Sequence, residues 1–191
     1  MEPADMVRTV ELVQSVKTGN TRAFWDLMSI YEAMIYRFCY RKLLVTEAAE
    51  DAAKEAFIKA FEKIRTLKDD AKFKPWLFTI ARNICIDELK RGNKFVDLPE
   101  DDALDAIPNG KANPERALEE KQKMRAEEMV MDQVGKLSEK YKDVLFLVHY
   151  EGVSYEEASQ VLNVPIGTVR SRLSRGLDAL RSRLHYLSEM A

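Results

Sequence analysis

The sequence is poor in the residues that interrupt helices. Its 191 residues include only 7 glycines and 6 prolines, and β-branched residues seldom follow one another, whereas Ala, Leu, Glu, Lys and Arg are frequent. That composition favours helices over sheets. The two cysteines, Cys39 and Cys85, each lie in a helical apolar pattern without metal-ligand spacing. This pattern predicts reduced core residues rather than a redox or metal site.

Long apolar runs are absent as well. No stretch approaches the roughly 20 apolar residues that cross a bilayer. The N-terminus does not have the basic-then-apolar order of a signal peptide. We therefore expect a cytoplasmic protein. The sequence also contains no glycine-rich loop of the kind that cradles phosphates, so an ATPase activity is not expected.

Histidine is scarce, and this scarcity bears on metal chemistry. Three acids, Glu50, Asp51 and Glu55, lie within one short segment, and carboxylates are the ligands that hard cations prefer. The two histidines, His149 and His185, lie far from these acids in the sequence. We therefore predict no metal, no cofactor, no catalytic constellation and no small-molecule substrate.

What the sequence does have is apolar residues at helical spacing in two separate parts. In the first part, residues such as Leu27, Ile30, Tyr31 and Met34 recur every three or four positions, which is typical of amphipathic helices. Helical order returns after residue 117. There we expect helices over Leu118 to Leu137 and over Tyr141 to Tyr150, the second ending at Gly152.

The intervening segment, residues 95–117, differs in composition. It contains Pro99, Pro108, Gly110 and Pro114, carries six acidic residues against two basic ones, and shows no sustained periodicity. Such a segment is typical of a linker. The sequence thus predicts an all-α protein in which two small helical domains, residues 1–94 and 118–191, are joined by a flexible acidic linker.

The segment from Ser154 to Leu184 predicts a helix-turn-helix. Ser154 and Glu157 have the spacing of a capping box at the start of its first helix. Asn163 tolerates the left-handed conformation of a tight turn, and Pro165 suits the start of the second helix.

The second helix of this motif is strongly basic, with five arginines and one aspartate between Pro165 and Leu184. When its apolar residues face inward, an outward face of arginine and hydroxyl side chains remains. Such side chains suit the DNA major groove, where arginine binds guanine and the hydroxyl of serine or threonine can bond to more than one kind of base. A helical hairpin with a solvated basic face would show the same periodicity. The outward face comprises Thr168, Ser171, Arg172 and Arg175, flanked by Arg170 and Ser174.

The residues of this motif, Ser154 to Ala158 followed by Val164 to Gly176, resemble the region-4 helix-turn-helix of extracytoplasmic-function sigma factors, a group of the sigma-70 family. In that family, the second helix binds the −35 promoter element. The resemblance therefore implies contacts to bases or phosphates from Thr168, Arg170, Ser171, Arg172, Ser174 and Arg175.

The segment from Glu47 to Phe61 is similar to region 2.2 of the same family. There this helix docks on the clamp helices of the largest subunit of RNA polymerase. With its alanines and phenylalanines buried, a face of mixed charge projects outward, and such charges set orientation and partner choice at an interface. Lys54 stands where the family usually has glutamine, so this sequence departs from the pattern at one docking position. The implied polymerase-binding residues are Glu50, Asp51, Lys54, Glu55 and Ile58.

The segment from Phe73 to Arg91 resembles regions 2.3 and 2.4, which melt the −10 element and capture a flipped base beside the position that matches Asn83. An amide can pair with the edge of an unpaired base, and basic groups can follow the DNA backbone. From the residues alone, Trp76 is a core residue; the resemblance adds a contact to DNA. The implied −10 residues are Lys74, Trp76, Arg82, Asn83, Lys90 and Arg91.

Taken together, these resemblances imply a non-enzymatic sigma factor that binds core RNA polymerase and promoter DNA. They also imply an anti-sigma factor, often membrane-anchored, which would hold it inactive until a stress signal arrives. Two alternatives are a sigma-like mimic that only sequesters an anti-sigma factor and a conventional helix-turn-helix regulator. Retention of Arg170, Arg172 and Arg175 argues against the mimic, and the match from Trp76 to Arg91 argues against the regulator.

Overall fold

The computed structural model describes residues 3–92 and 129–189, and every regular element in those ranges is helical. The prediction of an all-α fold is confirmed. The first range contains α1 (Pro3–Lys17), α2 (Arg22–Leu43), α3 (Thr46–Lys63) and α4 (Phe73–Gly92), with 3-10 turns at Ile64–Thr66 and Asp70–Lys72. The second contains α5 (129–135), α6 (Glu139–Leu145), a π turn (Phe146–Tyr150), α7 (Tyr155–Leu162) and α8 (Ile166–Glu189). We call these ranges the N-terminal and C-terminal halves. The predicted linker, residues 95–117, and the first part of the predicted helix from Leu118 lie outside the described residues.

The N-terminal half is a four-helix bundle with an aromatic and alanine-rich core. Tyr31 and Phe38 of α2 pack against Phe73 and Phe78 of α4, with ring centroids 5.5 and 5.4 Å apart. On α3, the buried face consists largely of alanines, whose small side chains let α2 and α4 approach closely. The face of α3 opposite these alanines carries the solvent-facing side chains. The buried alanines are Ala49, Ala52, Ala53, Ala56 and Ala60.

The C-terminal half differs from the sequence prediction in its second helix. That helix begins at Glu139 rather than at Tyr141, and its last turn widens into a π turn. The N–H of Glu151 donates to the carbonyl of Phe146, five residues back, at 3.0 Å. The wide turn ends at Glu151, whose carboxylate is completely buried. Apolar periodicity gives no signal for such a local change of helix type.

The predicted helix-turn-helix is confirmed in detail. Glu157 donates its N–H to Ser154 Oγ at 3.1 Å, and its carboxylate accepts the N–H of Ser154 at 2.9 Å. Asn163 adopts the left-handed conformation, with φ +51°. Across the turn, the Ser159 hydroxyl donates to the carbonyl of Val164 at 2.6 Å. These bonds fix the direction in which α8 leaves α7.

Close packing between α6 and α8 sets the remaining geometry of this half. Gly176 is buried on α8, and a Cβ atom there would lie 3.3 Å from Cδ1 of Leu145. A larger side chain at this position would have to push the two helices apart. The apolar side of α8 is therefore held against α6, and its opposite side faces solvent.

Two glycines provide a matched test of backbone conformation. Gly152 has φ +59°, Gly167 lies in α8, and no atom would lie within 4 Å of a Cβ at either position. We expect Gly152→Ala to lower the free energy of unfolding by about 1 kcal/mol, because an L-residue is strained in the left-handed region. Gly167→Ala should raise it by about 0.5 kcal/mol, because alanine favours the helix. Urea unfolding measures both values. A loss of stability in both variants would contradict the assignment of the Gly152 effect to its φ angle.

Candidate nucleic-acid and partner interfaces

All six residues predicted for the −35 contact lie on α8, within its first ten residues. Arg170, Ser171, Ser174 and Arg175 are exposed, and Thr168 and Arg172 are half-exposed. Between them, Val169 and Leu173 are buried against the rest of the C-terminal half. The arginine and hydroxyl side chains therefore share one solvent-facing surface on the second helix of the motif, which we call the α8 face.

Neighbouring side chains restrict the residues of the α8 face. The guanidinium of Arg170 lies over the ring of Tyr155, 5.7 Å from the centroid, which is within the range of a cation–π contact. Ser171 donates its hydroxyl to the carbonyl of Thr168 at 3.1 Å. The contact of Arg170 with Tyr155 was not predicted, because the two residues lie on different helices.

The face of α3 predicted to bind polymerase is also outward. Glu50, Asp51, Lys54 and Ile58 are exposed and Glu55 is half-exposed. Lys54, at the position where the sequence departs from the family pattern, lies 3.4 Å from the carboxylate of Glu50 and 3.6 Å from that of Asp51. The lysine therefore partly neutralises the acids beside it, which a glutamine would not do.

Next to this face, a groove of about 1120 Å³ runs between α2 and α3. Its exposed apolar side chains include Trp25, Ile58 and Phe61, which are 66%, 59% and 42% exposed. Glu50 and Lys54 lie at its edge. Sequence reasoning missed the groove, because Phe61 fits the same three-and-four spacing as the core residues. The signal that could have found it is Trp25, a large aromatic residue outside that spacing.

The −10 residues predicted on α4 divide into two groups. Asn83 and Lys90 are exposed, and Arg91 is exposed with its guanidinium 2.7 Å from the carboxylate of Glu88. Trp76 is half-buried, and its ring centroid lies 6.0 Å from that of Phe73. Trp76 thus packs against the core on one side and exposes part of its ring to solvent on the other.

Lys74 and Arg82, the other two residues of this set, are covered by the C-terminal half. The Lys74 side chain is 5% exposed, with its ammonium 3.8 Å from the carboxylate of Glu157. Arg82 Nε donates to Asp143 Oδ2 at 2.9 Å. From the sequence, Lys74 and Arg82 were predicted to contact the DNA backbone. Nothing in the sequence indicated that each of them forms an ion pair with an acidic residue of the C-terminal half.

Lys42, on α2, lies at the centre of the contact between the halves. Its ammonium bonds to the carboxylate of Asp143 and lies 3.1 Å from that of Glu139. Burial by itself lowers the pKa of Lys42, but these two carboxylates outweigh it and raise the pKa. Burial likewise acts to raise the pKa of Glu139, and the opposing effects of Lys142 and Lys42 leave it lowered. Both groups therefore keep their charge at neutral pH.

A second cluster surrounds the buried carboxylate of Glu151. Arg37 donates to it at 3.0 Å, and Arg41 donates to its other oxygen. The guanidinium of Arg41 also lies over the ring of Tyr150, 4.3 Å from the centroid. The carboxylate that ends the π turn is thus held by two arginines of α2.

The cysteines occupy the core positions that the sequence predicted. Cys39 and Cys85 are both fully buried, and the hydrogen bond of the Cys39 thiol to Cys85, together with burial, raises the pKa of that thiol. In residues 3–92 and 129–189, no group of three or more His, Cys, Asp or Glu side chains has an arrangement that could hold a metal ion. No helix in these ranges is both long and apolar enough to span a membrane.

Comparison with known proteins places these features in a family. The protein-family model described as "Sigma-70 region 2" matches residues 27–95, and the family model described as "Sigma-70, region 4" matches residues 127–180. The fold resembles that of the solved complex of CnrH with the cytosolic domain of CnrY, with a TM-score of 0.70 at 21% identity over 94% of this chain and 98% of that one. It also resembles RpoE in complex with the anti-sigma factor NepR from Bartonella quintana, with a TM-score of 0.67 at 23% identity over 86% and 98%.

Relatives with higher identity match nearly the whole chain. The ECF RNA polymerase sigma factor SigW of Bacillus subtilis is 34% identical over 92% of this chain and 96% of its own length. The RNA polymerase sigma-H factor of Pseudomonas aeruginosa is 33% identical over 93% and 94%. The chain belongs to the extracytoplasmic-function (ECF) RNA polymerase sigma factors of the sigma-70 family.

Proposed function

We propose that this protein is an alternative sigma factor that binds core RNA polymerase, directs it to a set of promoters and helps to open the duplex. In this proposal, residues 1–94 bind polymerase and the −10 element, residues 118–191 bind the −35 element, and residues 95–117 link them. The protein catalyses no reaction itself, since nucleotide chemistry belongs to the polymerase. The observation that carries the proposal is the α8 face, an exposed set of arginines and hydroxyls on the second helix of a helix-turn-helix.

The α8 face supports recognition of the −35 element through the major groove. A helix fits that groove, and an arginine that bonds to both guanine acceptors discriminates against other bases by about 1–3 kcal/mol. Arg170, Arg172 and Arg175 project from a helix whose direction is fixed by the capping box and by the Gly176 contact. Because these arginines sit on a rigid element, they can bind a defined sequence rather than phosphates alone.

The exposed end of α4 supports contact with the opened −10 element. Asn83 carries both a donor and an acceptor on its amide, which can pair with the edge of an unpaired base. Lys90 and Arg91 both lie about two turns further along the same helix and are exposed. Basic groups in that position can follow the backbone of a single strand.

The α3 face and the adjoining groove support docking on the polymerase clamp helices. Exposed apolar side chains such as Ile58 and Trp25 can contribute affinity when a partner buries them. The surrounding charges, Glu50, Asp51 and Lys54, can fix the orientation of that partner. An apolar groove with a charged edge is typical of a surface that receives a helix.

We further propose that an anti-sigma factor controls this protein in a stress response. The solved structure of RpoE contains the anti-sigma factor NepR, and that of CnrH contains the cytosolic domain of a partner protein, CnrY. By analogy, a partner of the same kind would hold this chain inactive in the cytoplasm, and at the inner membrane if that partner is anchored there.

Run-off transcription with core polymerase on a library of random promoter-sized duplexes tests the proposal. We expect selective initiation from templates that share a pair of sequence elements. Arg175→Ala should reduce initiation from the selected promoter roughly 5- to 150-fold, equivalent to about 1–3 kcal/mol. The matched control is Arg181→Ala, which removes an exposed arginine of the same helix that pairs with Asp178 and should leave initiation nearly unchanged.

The other outcomes separate the alternatives. Polymerase binding without initiation from any template would favour a sigma-like mimic. Sequence-specific DNA binding without any polymerase binding would favour a conventional regulator. Equal losses in the Arg175 and Arg181 variants would show that general charge, and not the α8 face, determines promoter binding.

A second test addresses the groove. Ile58→Asp should weaken binding to core polymerase by about tenfold or more, because it places a charge where apolar surface is buried. Val7→Asp is the matched control, since Val7 on α1 is equally exposed at 59% and lies outside the groove. Equilibrium titration of labelled protein with core polymerase measures both. Equal affinity of the two variants would contradict a role for the groove in docking.

A further inference from the structure

A contact between the two helices of the helix-turn-helix links the α8 face to the start of α7. Arg170, on α8, places its guanidinium 5.7 Å from the centroid of the Tyr155 ring, and Tyr155 is the first residue of α7. A cation within about 6 Å of an aromatic centroid is attracted by the face of the ring. The pair therefore joins an arginine of the predicted −35 surface to a tyrosine that lies outside that surface.

Tyr155 is a rigid part of this pair. It follows the N-cap residue Ser154, whose hydroxyl accepts the N–H of Glu157 at 3.1 Å, while the Glu157 carboxylate accepts the N–H of Ser154 at 2.9 Å. These bonds fix the backbone of the first turn of α7. The ring itself is half-buried and packs against the core. Tyr155 thus offers a fixed surface to the side chain that lies over it.

Arg170 is the mobile member of the pair. Its side chain is exposed, although the preceding residue, Val169, is completely buried. An exposed arginine has many accessible rotamers, and ordering such a side chain against a partner costs conformational entropy. A planar guanidinium can stack on an aromatic ring. Contact with the fixed ring of Tyr155 therefore removes part of this freedom before DNA is bound.

The contact lies where a helix-turn-helix meets DNA. In this motif the first helix crosses the DNA backbone and the second enters the major groove. The hydroxyl of Ser159 donates to the carbonyl of Val164 at 2.6 Å and keeps the two helices in a fixed relative direction. The ring of Tyr155 therefore stays beside the α8 face and restricts the guanidinium of Arg170 to that side of the helix.

We propose that Tyr155 is a positioning residue for promoter binding, because its ring holds the guanidinium of Arg170 in place and lowers the entropic cost of its contact with DNA. This inference rests on the proposed function, in which Arg170 meets the −35 element. Tyr155 acts through Arg170 and not through a bond of its own to DNA. Its ring, rather than its hydroxyl, is the group that matters.

The first measurement uses the free full-length chain. The order parameter of the Arg170 Nε–H bond, from nitrogen-15 relaxation, reports how strongly the guanidinium is restricted. Tyr155→Leu removes the ring but keeps an apolar side chain, whereas Tyr155→Phe removes only the hydroxyl. We expect the order parameter to fall in the leucine variant and to keep its wild-type value in the phenylalanine variant. Tyr186→Leu, which removes an exposed tyrosine further along α8, is the matched control and should leave it unchanged.

The second measurement is a double-mutant cycle on the complex with core polymerase, titrated with a labelled duplex that carries the promoter selected by run-off transcription. Tyr155→Leu should weaken binding about two- to fivefold, as expected for the loss of an exposed cation–π contact. In an Arg170→Ala background the same change should have almost no effect, because the group that the ring positions is gone. In an Arg175→Ala background it should keep its full effect. Tyr155→Phe should bind like wild type.

Three results would overturn the inference. The first is an unchanged Arg170 order parameter in Tyr155→Leu. The second is an equal loss of promoter affinity with and without Arg170, which would give Tyr155 a purely structural role. The third is a loss of affinity in Tyr155→Phe, which would assign the effect to a contact of the hydroxyl.

The design also covers failure of the main variant and of the proposed function. If Tyr155→Leu does not fold, as judged by circular dichroism, Tyr155→Met decides, since it replaces the ring with an unbranched apolar chain and the same results are expected. If polymerase with the wild-type protein selects no promoter, the proposed function is refuted. The order parameter then decides by itself whether Tyr155 holds Arg170.

Discussion

The carboxylate of Asp143 bonds to two cations of the other half, Lys42 through one oxygen and Arg82 through the other. The arrangement of the halves depends on this buried charge. Without it, the ammonium of Lys42 would lie in the interface with only the half-exposed Glu139 to balance it, and uncompensated burial of a charge is costly.

Within the N-terminal half, α3 has a buried face of small side chains and an exposed face of larger, mostly charged ones. Alanines form the buried face and leave the opposite positions to Glu50, Asp51, Lys54 and Ile58. Changes on the outer face therefore do not disturb the packing of α2 and α4. A partner surface can vary in charge, as it does at Lys54, while the bundle keeps its geometry.

The sequence predicted those features that depend on neighbours within one helix or turn. The capping box at Ser154, the left-handed Asn163 and the outward α8 face are all local, and the structure contains each of them. Features that depend on distant residues were missed. Arg37 and Glu151 are 114 positions apart, and Lys42 and Asp143 are 101, so no spacing rule connects them. The groove was missed for another reason: periodicity places Phe61 on an apolar face but does not reveal whether another helix covers that face.

Glu157 takes part in both a local and a distant interaction. The same carboxylate oxygen that accepts the N–H of Ser154 lies 3.8 Å from the ammonium of Lys74. A glutamine there would still accept the N–H and complete the capping box, but it would carry no charge to hold Lys74. Glutamate and glutamine codons differ by one nucleotide. The charge that holds Lys74 against the C-terminal half can therefore be removed by a single nucleotide change that leaves the helix-turn-helix intact.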